Sequence, residues 1–210
     1  DLRADGTPRR RDREATRARI LEAAVAEFSR FGLSEARGER IALKARSSER
    51  MLYYYFGSKE GLFRAALESV YASLGQAERA LRLDEYDPLE ALEVFCRFVW
   101  RYYVDHPEFI SLLNTENLYK AKHLRKSPRL EELVSPVVGV LGELIERGQR
   151  ARVFRAGLDA AQLYLGIASQ GYFYLSNRHT LSAVLGRDLV SRRSLEDRKS
   201  TRLNSSHVSE

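Results

Sequence analysis

Apolar residues recur at three- and four-residue spacing along most of the chain, and no segment alternates with period two between turn signals. That pattern predicts helices throughout and no sheet. Ile20, Leu21, Ala24, Val25, Phe28 and Phe31 make one stripe, ended by Gly32, for a first helix of about twenty residues. Two short helical stretches follow, at about 38–45 and 49–55, too brief to stand alone. Ser58 is placed to cap a long helix from Lys59 to about residue 82. Beyond "LDEYDPLE", Leu89, Leu92, Phe95, Cys96, Val99, Trp100 and Tyr103 form another stripe, stopped before His106-Pro107. Phe109, Ile110, Leu113, Leu118, Ala121 and Leu124 predict a helix ending at Ser127-Pro128, and Leu130 to Ile145 a further one to about Gly148. Asp159 with Gln162 resembles a capping box that opens a helix to about residue 178. Its small residues, Ala160, Ala161, Gly166, Ala168 and Gly171, let another helix approach closely.

Composition changes this picture little: 210 residues, 44% hydrophobic and 30% charged, describe an ordinary globular chain able to bury a full core. No apolar run is long enough to span a bilayer and the N-terminus lacks a signal-peptide core, so a cytoplasmic protein is expected. The one cysteine, Cys96, lies in an apolar stripe and reads as packing. The four histidines show no zinc-ligand spacing, so no cofactor is expected. Charge is more telling. Residues 1–64 hold 15 Lys and Arg against 10 Asp and Glu, residues 65–196 hold 17 against 17, and residues 197–210 hold 3 against 2. The positive excess belongs to the N-terminal third, which suggests a polyanion partner for that segment or, equally, a solvated basic tail.

Residues 38–57 fit a helix-turn-helix, in which a first helix braces a second that enters the major groove. Ile41 and Ala42 supply the apolar and small residues where the helices cross. Leu52, with Tyr55 or Phe56, faces inward, and Ser48, Glu49, Arg50, Tyr53 and Tyr54 remain free to meet DNA. The stretches "ILEAAVAEFSRFG", "RIALKA" and "LYYYFGSKEGLF" resemble the N-terminal domain of TetR-family transcriptional regulators over about residues 17–64. Later, "HPEFISLLNTENLYKAKHLRKS" and "GYFYLSNRHTLSAVLGRDL" are similar to ligand-binding domains of that family. The resemblance implies an all-α protein: a basic arm over 1–13, a three-helix DNA-binding domain over 14–64, and a ligand-binding and dimerisation bundle over 65–196, entered by a long helix. It implies a homodimer in the natural parent that holds a palindromic double-stranded operator and releases it when an unidentified small-molecule effector binds.

Within that frame Lys59 and the amides after Ser58 are expected on a phosphate, Glu49 and Arg50 at base edges, and Arg9, Arg10 and Arg11 along the backbone or in a minor groove. Trp100, Tyr103, Asn114, Asn117, Gln170 and Tyr174 are candidate effector contacts, an apolar surface with a few polar groups. Four positions depart from the family pattern. Where a hydroxyl cap, an apolar residue and then Gly-Val in the turn are usual, this chain has Arg37, Gly38, Arg46 and Ser47. A non-glycine residue in a left-handed turn costs roughly 1–2 kcal/mol, and Ser for Val forfeits about 1.5–3 kcal/mol of burial. Arg37 and Arg46 offer extra phosphate contacts in return. "DRKSTRLNSSH", residues 197–207, back-translates to a string similar to a common short-read sequencing adapter. Residues 197–210 are therefore set aside, the last helix is expected to be truncated near residue 196, and this chain is expected to dimerise poorly. A helical ligand-binding or interaction module with only nonspecific DNA affinity is the competing reading. No nucleophile elbow, metal motif or paired-carboxylate arrangement points to an enzyme.

Overall fold

The computed structural model describes the backbone of residues 10–191 and 193–195. The adapter-like segment 197–210 and Arg9 lie outside the described residues, as do the side chains of Arg10 and Arg11. Every regular element among the described residues is helical. They are α1 (Arg10–Glu35), α2 (Gly38–Lys44), α3 (Glu49–Phe56), α4 (Lys59–Arg79), α5 (Pro88–Asp105), α6 (Pro107–Leu118), α7 (Leu130–Arg150) and α8 (Ala160–Leu185). Short 3-10 turns at Leu83–Glu85 and Leu124–Lys126 punctuate the chain. No helix among the described residues is long and apolar enough to cross a membrane.

The chain divides into two compact units. The first takes the chain up to Ser73 together with Ser111–Leu133; the second takes Leu74–Ile110 together with the chain from Val134 onward. This division extends past the sequence boundary at residue 64 and adds a later segment, which side chains tie down. Ser127 Oγ donates to Glu68 Oε1 (2.6 Å), Tyr119 and Ser34 share a hydroxyl hydrogen bond (3.0 Å), and the Phe63 ring meets His123 edge-on at 5.1 Å. The core of the first unit is Ile20, Ala24, Phe28, Ile41, Leu52, Phe63 and Leu67, with Phe28 and Phe63 in edge-to-face contact at 5.2 Å. At about 1.5–3 kcal/mol for each large side chain removed from water, this cluster is what makes two helices as short as α2 and α3 persist.

In the second unit α5 packs on α8. Ala91, Phe95, Val99, Trp100 and Tyr103 line α5, and Ile167, Tyr174 and Leu175 line α8. Of the two glycines within α8, Gly171 is the one at the contact: a Cβ there would stand 3.1 Å from the Tyr103 ring and near Trp100. Gly166 faces open space. Asp159 caps α8 as expected, accepting from Gln162 N–H at 2.8 Å.

Three helix ends differ from the sequence expectation. α4 stops at Arg79, where the chain turns through a left-handed Arg82 (φ 46°) into the first 3-10 turn. α8 continues to Leu185 before Gly186 (φ 60°) ends it. α6 ends at Leu118 instead of Ser127, with Lys120 and Ala121 at φ 56° and 59°. The cause is Glu116, whose buried carboxylate accepts from the backbone N–H of His123 (2.7 Å) and Leu124 (2.9 Å) and holds His123 Nδ1 at 2.7 Å. A side chain that takes those amides bends the chain around itself and ends the helix.

Candidate nucleic-acid interface and effector core

α2 begins without a side-chain cap at Arg37. Its starting amide is satisfied from α1 instead: Glu27 Oε1 accepts from Arg37 N–H (3.1 Å) and from Arg40 Nε (2.6 Å). Burial alone pushes the Glu27 carboxyl up, but the bonds from Arg40 and the Arg37 amide, with the charges of Arg40 and Arg30, hold it below its ordinary value. The Arg40 guanidinium also lies over the Phe31 ring at 4.3 Å. The missing hydroxyl cap is therefore replaced by a carboxylate one helix away.

α2 ends in a Schellman turn: Ser47 N–H bonds to Ala42 O (2.9 Å) and Arg46 N–H to Leu43 O (3.1 Å), with Arg46 at φ 49°. The sequence expectation of a strained non-glycine residue there holds in detail. Gly38, the second departure, has its own explanation. A Cβ at position 38 would meet the Glu49 carboxylate, so glycine leaves room for that side chain against the start of α2. Gly61 acts similarly, since a side chain there would run into the Phe56 carbonyl.

On α3, Leu52 is buried and Tyr55 and Phe56 are half-buried, with Arg17 over the Phe56 ring at 5.0 Å. Ser48, Arg50, Tyr53 and Tyr54 are exposed, the two tyrosines at 48% and 67%. Glu49 is half-buried beside Gly38, and the Arg37 side chain is exposed. Arg50, Tyr53 and Tyr54 thus share the solvent face of one helix whose opposite face is pinned by Leu52, and Ser48 stands at its N-cap. Ser58 Oγ accepts from Gly61 N–H at 3.0 Å, which caps α4 as expected. Lys59 Nζ donates to Ser34 O at 3.0 Å, satisfying a carbonyl near the end of α1.

The effector candidates separate. Trp100, Tyr103 and Tyr174 are buried together in the second unit, with Trp100 and Tyr174 at 5.7 Å between ring centroids and Tyr103 stacked on Phe109 at 5.6 Å. Gln170 is exposed on α8. Asn114 and Asn117 fall in the first unit, because α6 passes from one unit to the other at Ser111. Sequence reading missed Glu78, which is 7% exposed with Oε1 lacking a hydrogen-bond partner among the described residues. Burial raises its carboxyl to about 7, against a lowering by Arg79. Burial raises the Tyr102 and Tyr164 hydroxyls to about 12; the charges of Glu108 and then Glu78 add to this at Tyr102, and that of Glu78 at Tyr164, where a bond to Tyr103 acts the other way. Glu78 also lines a cleft of about 260 Å³ with Arg82, Leu83, Leu144 and Arg147. The signal was present: Val70, Leu74 and Glu78 continue one four-residue stripe, and an acid at a core position marks a group whose environment must answer for it.

Comparisons with known proteins agree with this architecture. The family described as bacterial regulatory proteins, tetR family, matches residues 20–66, and the tetracyclin repressor-like C-terminal domain matches residues 88–204. The chain is 50% identical over 184 residues to the HTH-type transcriptional repressor NicS of Pseudomonas putida, covering 88% of this chain and 87% of that one. It is 36% identical over 139 residues to the HTH-type transcriptional repressor SCO4008 of Streptomyces coelicolor, covering 66% and 69%. The crystal structure of a TetR transcription regulatory protein from Mycobacterium vanbaalenii superposes with a TM-score of 0.56 at 29% identity, covering 78% of this chain and 93% of that one. With a braced recognition helix, an all-helical second unit and matches along both, the chain belongs to the TetR family of DNA-binding transcriptional regulators.

Proposed function

We propose that the protein is a cytoplasmic repressor that holds a palindromic operator as a homodimer and releases it when a small molecule enters the second unit. The observation that carries this reading is the division of α3: Leu52 is buried at 2% exposure while Ser48, Arg50, Tyr53 and Tyr54 stand in solvent. A guanidinium and a carboxylate at the start of a recognition helix read base edges, and tyrosine hydroxyls further along bond phosphates. Arg50 and Glu49 take the first role, Tyr53 and Tyr54 the second, and Arg37 adds a backbone contact from the start of α2. Lys59 reaches a phosphate by exchanging the Ser34 carbonyl for it. That two relatives are named repressors supports the sign of the effect.

In the second unit, Trp100, Tyr103 and Tyr174 supply an apolar aromatic wall, and Glu78 and Tyr164 supply polar groups, the combination a small-molecule site needs. α8 supports the dimer. It leaves Leu165, Phe173 and Val184 exposed at 57%, 61% and 81%, a large apolar display for a helix whose other side is already packed on α5. Selection from a random duplex pool tests the DNA reading: an enriched palindrome is expected. Salt-labile binding with no enriched sequence would instead leave a helical module that no longer reads DNA.

A further inference from the structure

Between Glu116 and Glu131 the chain carries Lys120, Lys122, Arg125, Lys126 and Arg129 and no acid. All five side chains are exposed. Arg129 pairs with Glu132 at 2.9 Å, whereas among the described residues no carboxylate pairs with Lys122 or Lys126. Such a run is ordinarily a solvated loop. Here it is built into the first unit, because Glu116 grips His123 and Leu124, Ser127 is bonded to Glu68, and Tyr119 is bonded to Ser34. These fixings place Lys122 and Lys126 along a cleft of about 410 Å³ whose other wall is the turn from α3 into α4, including Gly57, Ser58, Glu60 and Arg64. Arg64 shares the wall of Glu60 and is itself 3.8 Å from Glu68, so Glu60 faces two cations, Lys122 and Lys126, across that cleft and the rim stays positive.

We propose that Lys122 and Lys126 form a second DNA-backbone contact, binding phosphates of the strand that runs past the end of the recognition helix. This rests on the operator-binding reading above and extends it: part of the DNA footprint comes from residues about sixty positions beyond the helix-turn-helix in sequence. Phosphates are the occupant that the chemistry selects. Two exposed ammonium groups on an anchored segment give charge without base discrimination, and releasing counterions from DNA rewards each contact. The contact therefore adds affinity for any duplex and little sequence preference.

The test is fluorescence anisotropy of the full chain with a labelled mixed-sequence duplex across a salt series. K122A/K126A is expected to weaken binding several-fold near physiological salt and to flatten the slope of log K against log salt by about 0.9 for each phosphate no longer neutralised. R101A/R155A, which removes two exposed cations of the second unit, is expected to leave that slope in place. An unchanged slope in K122A/K126A, or an equal weakening in the control, overturns the inference while leaving the operator reading intact. A parent chain that binds no duplex even at low salt overturns both.

Discussion

Arg46 concentrates the cost of this helix-turn-helix in a single residue. It sits at φ 49° as the left-handed member of a Schellman turn, a position where an L side chain costs roughly 1–2 kcal/mol and glycine does not. Arg46→Gly is expected to stabilise the chain by about 1 kcal/mol, seen as a rise of about 2–4 °C in melting temperature. If Arg46 also holds a phosphate, the same variant loses salt dependence in DNA binding; an unchanged slope assigns the residue no such role. Glu78 sets a second expectation, with the opposite dependence on its surroundings. Its carboxyl titrates near 7 when folded and near 4.5 when unfolded, so the folded state carries no penalty below about 4.5 and loses stability progressively as pH rises toward 7. Glu78→Gln removes that loss. Thermal melts from pH 4.5 to 8 are expected to decline less in the variant than in the parent, by up to about 3 kcal/mol at the alkaline end. Parallel profiles for the two proteins would show that Glu78 is ionised in the folded state at neutral pH.

At the scale of the helix, glycine has opposite meanings within α8. Gly171 lies against Tyr103 and Trp100, so Gly171→Leu overpacks the α5–α8 contact and is expected to cost about 1–3 kcal/mol in chemical denaturation. Gly166 faces open space, so Gly166→Ala is expected to be neutral or to stabilise by about 0.5–1 kcal/mol. Equal effects at the two sites would mean that α5 does not pack on α8 as described. The existence and order of these helices were legible in the sequence, because each buries one stripe and the period of that stripe is visible in the residues. Their ends were legible only where the stop is local. Gly32 (φ 67°) kinks α1 ahead of its end at Glu35, and Ser58, Asp159 and the His106-Pro107 pair act within a turn of themselves and lie where expected. α6 ends early because a carboxylate at position 116 captures amides seven and eight residues on, an event no local propensity encodes. The recognition face was legible for the same reason as the helices, since Leu52 fixes which way α3 turns. The bond from Lys59 to Ser34 was not, because its partner lies 25 positions away on another helix.

For the molecule as a whole, the exposed apolar face of α8 is the feature that a single chain leaves unfinished. Sedimentation equilibrium is expected to find a weak, concentration-dependent dimer that L165E/F173E abolishes. A constant monomer mass over the whole concentration range would remove α8 from the interface. The organisation of the DNA-binding unit has another consequence, which concerns its birth on the ribosome. Its hydrogen bonds join Glu68 to Ser127, 59 positions apart, and Ser34 to Tyr119, 85 positions apart. Closing loops of that length costs entropy that only the completed contacts offset. The nascent helix-turn-helix therefore leaves the exit tunnel well before its own anchoring segment does. The ties from residues 111–133 to α1 and α4 come last, so a chain halted during the synthesis of α5 carries the whole recognition motif while the helices on either side of it still lack those ties.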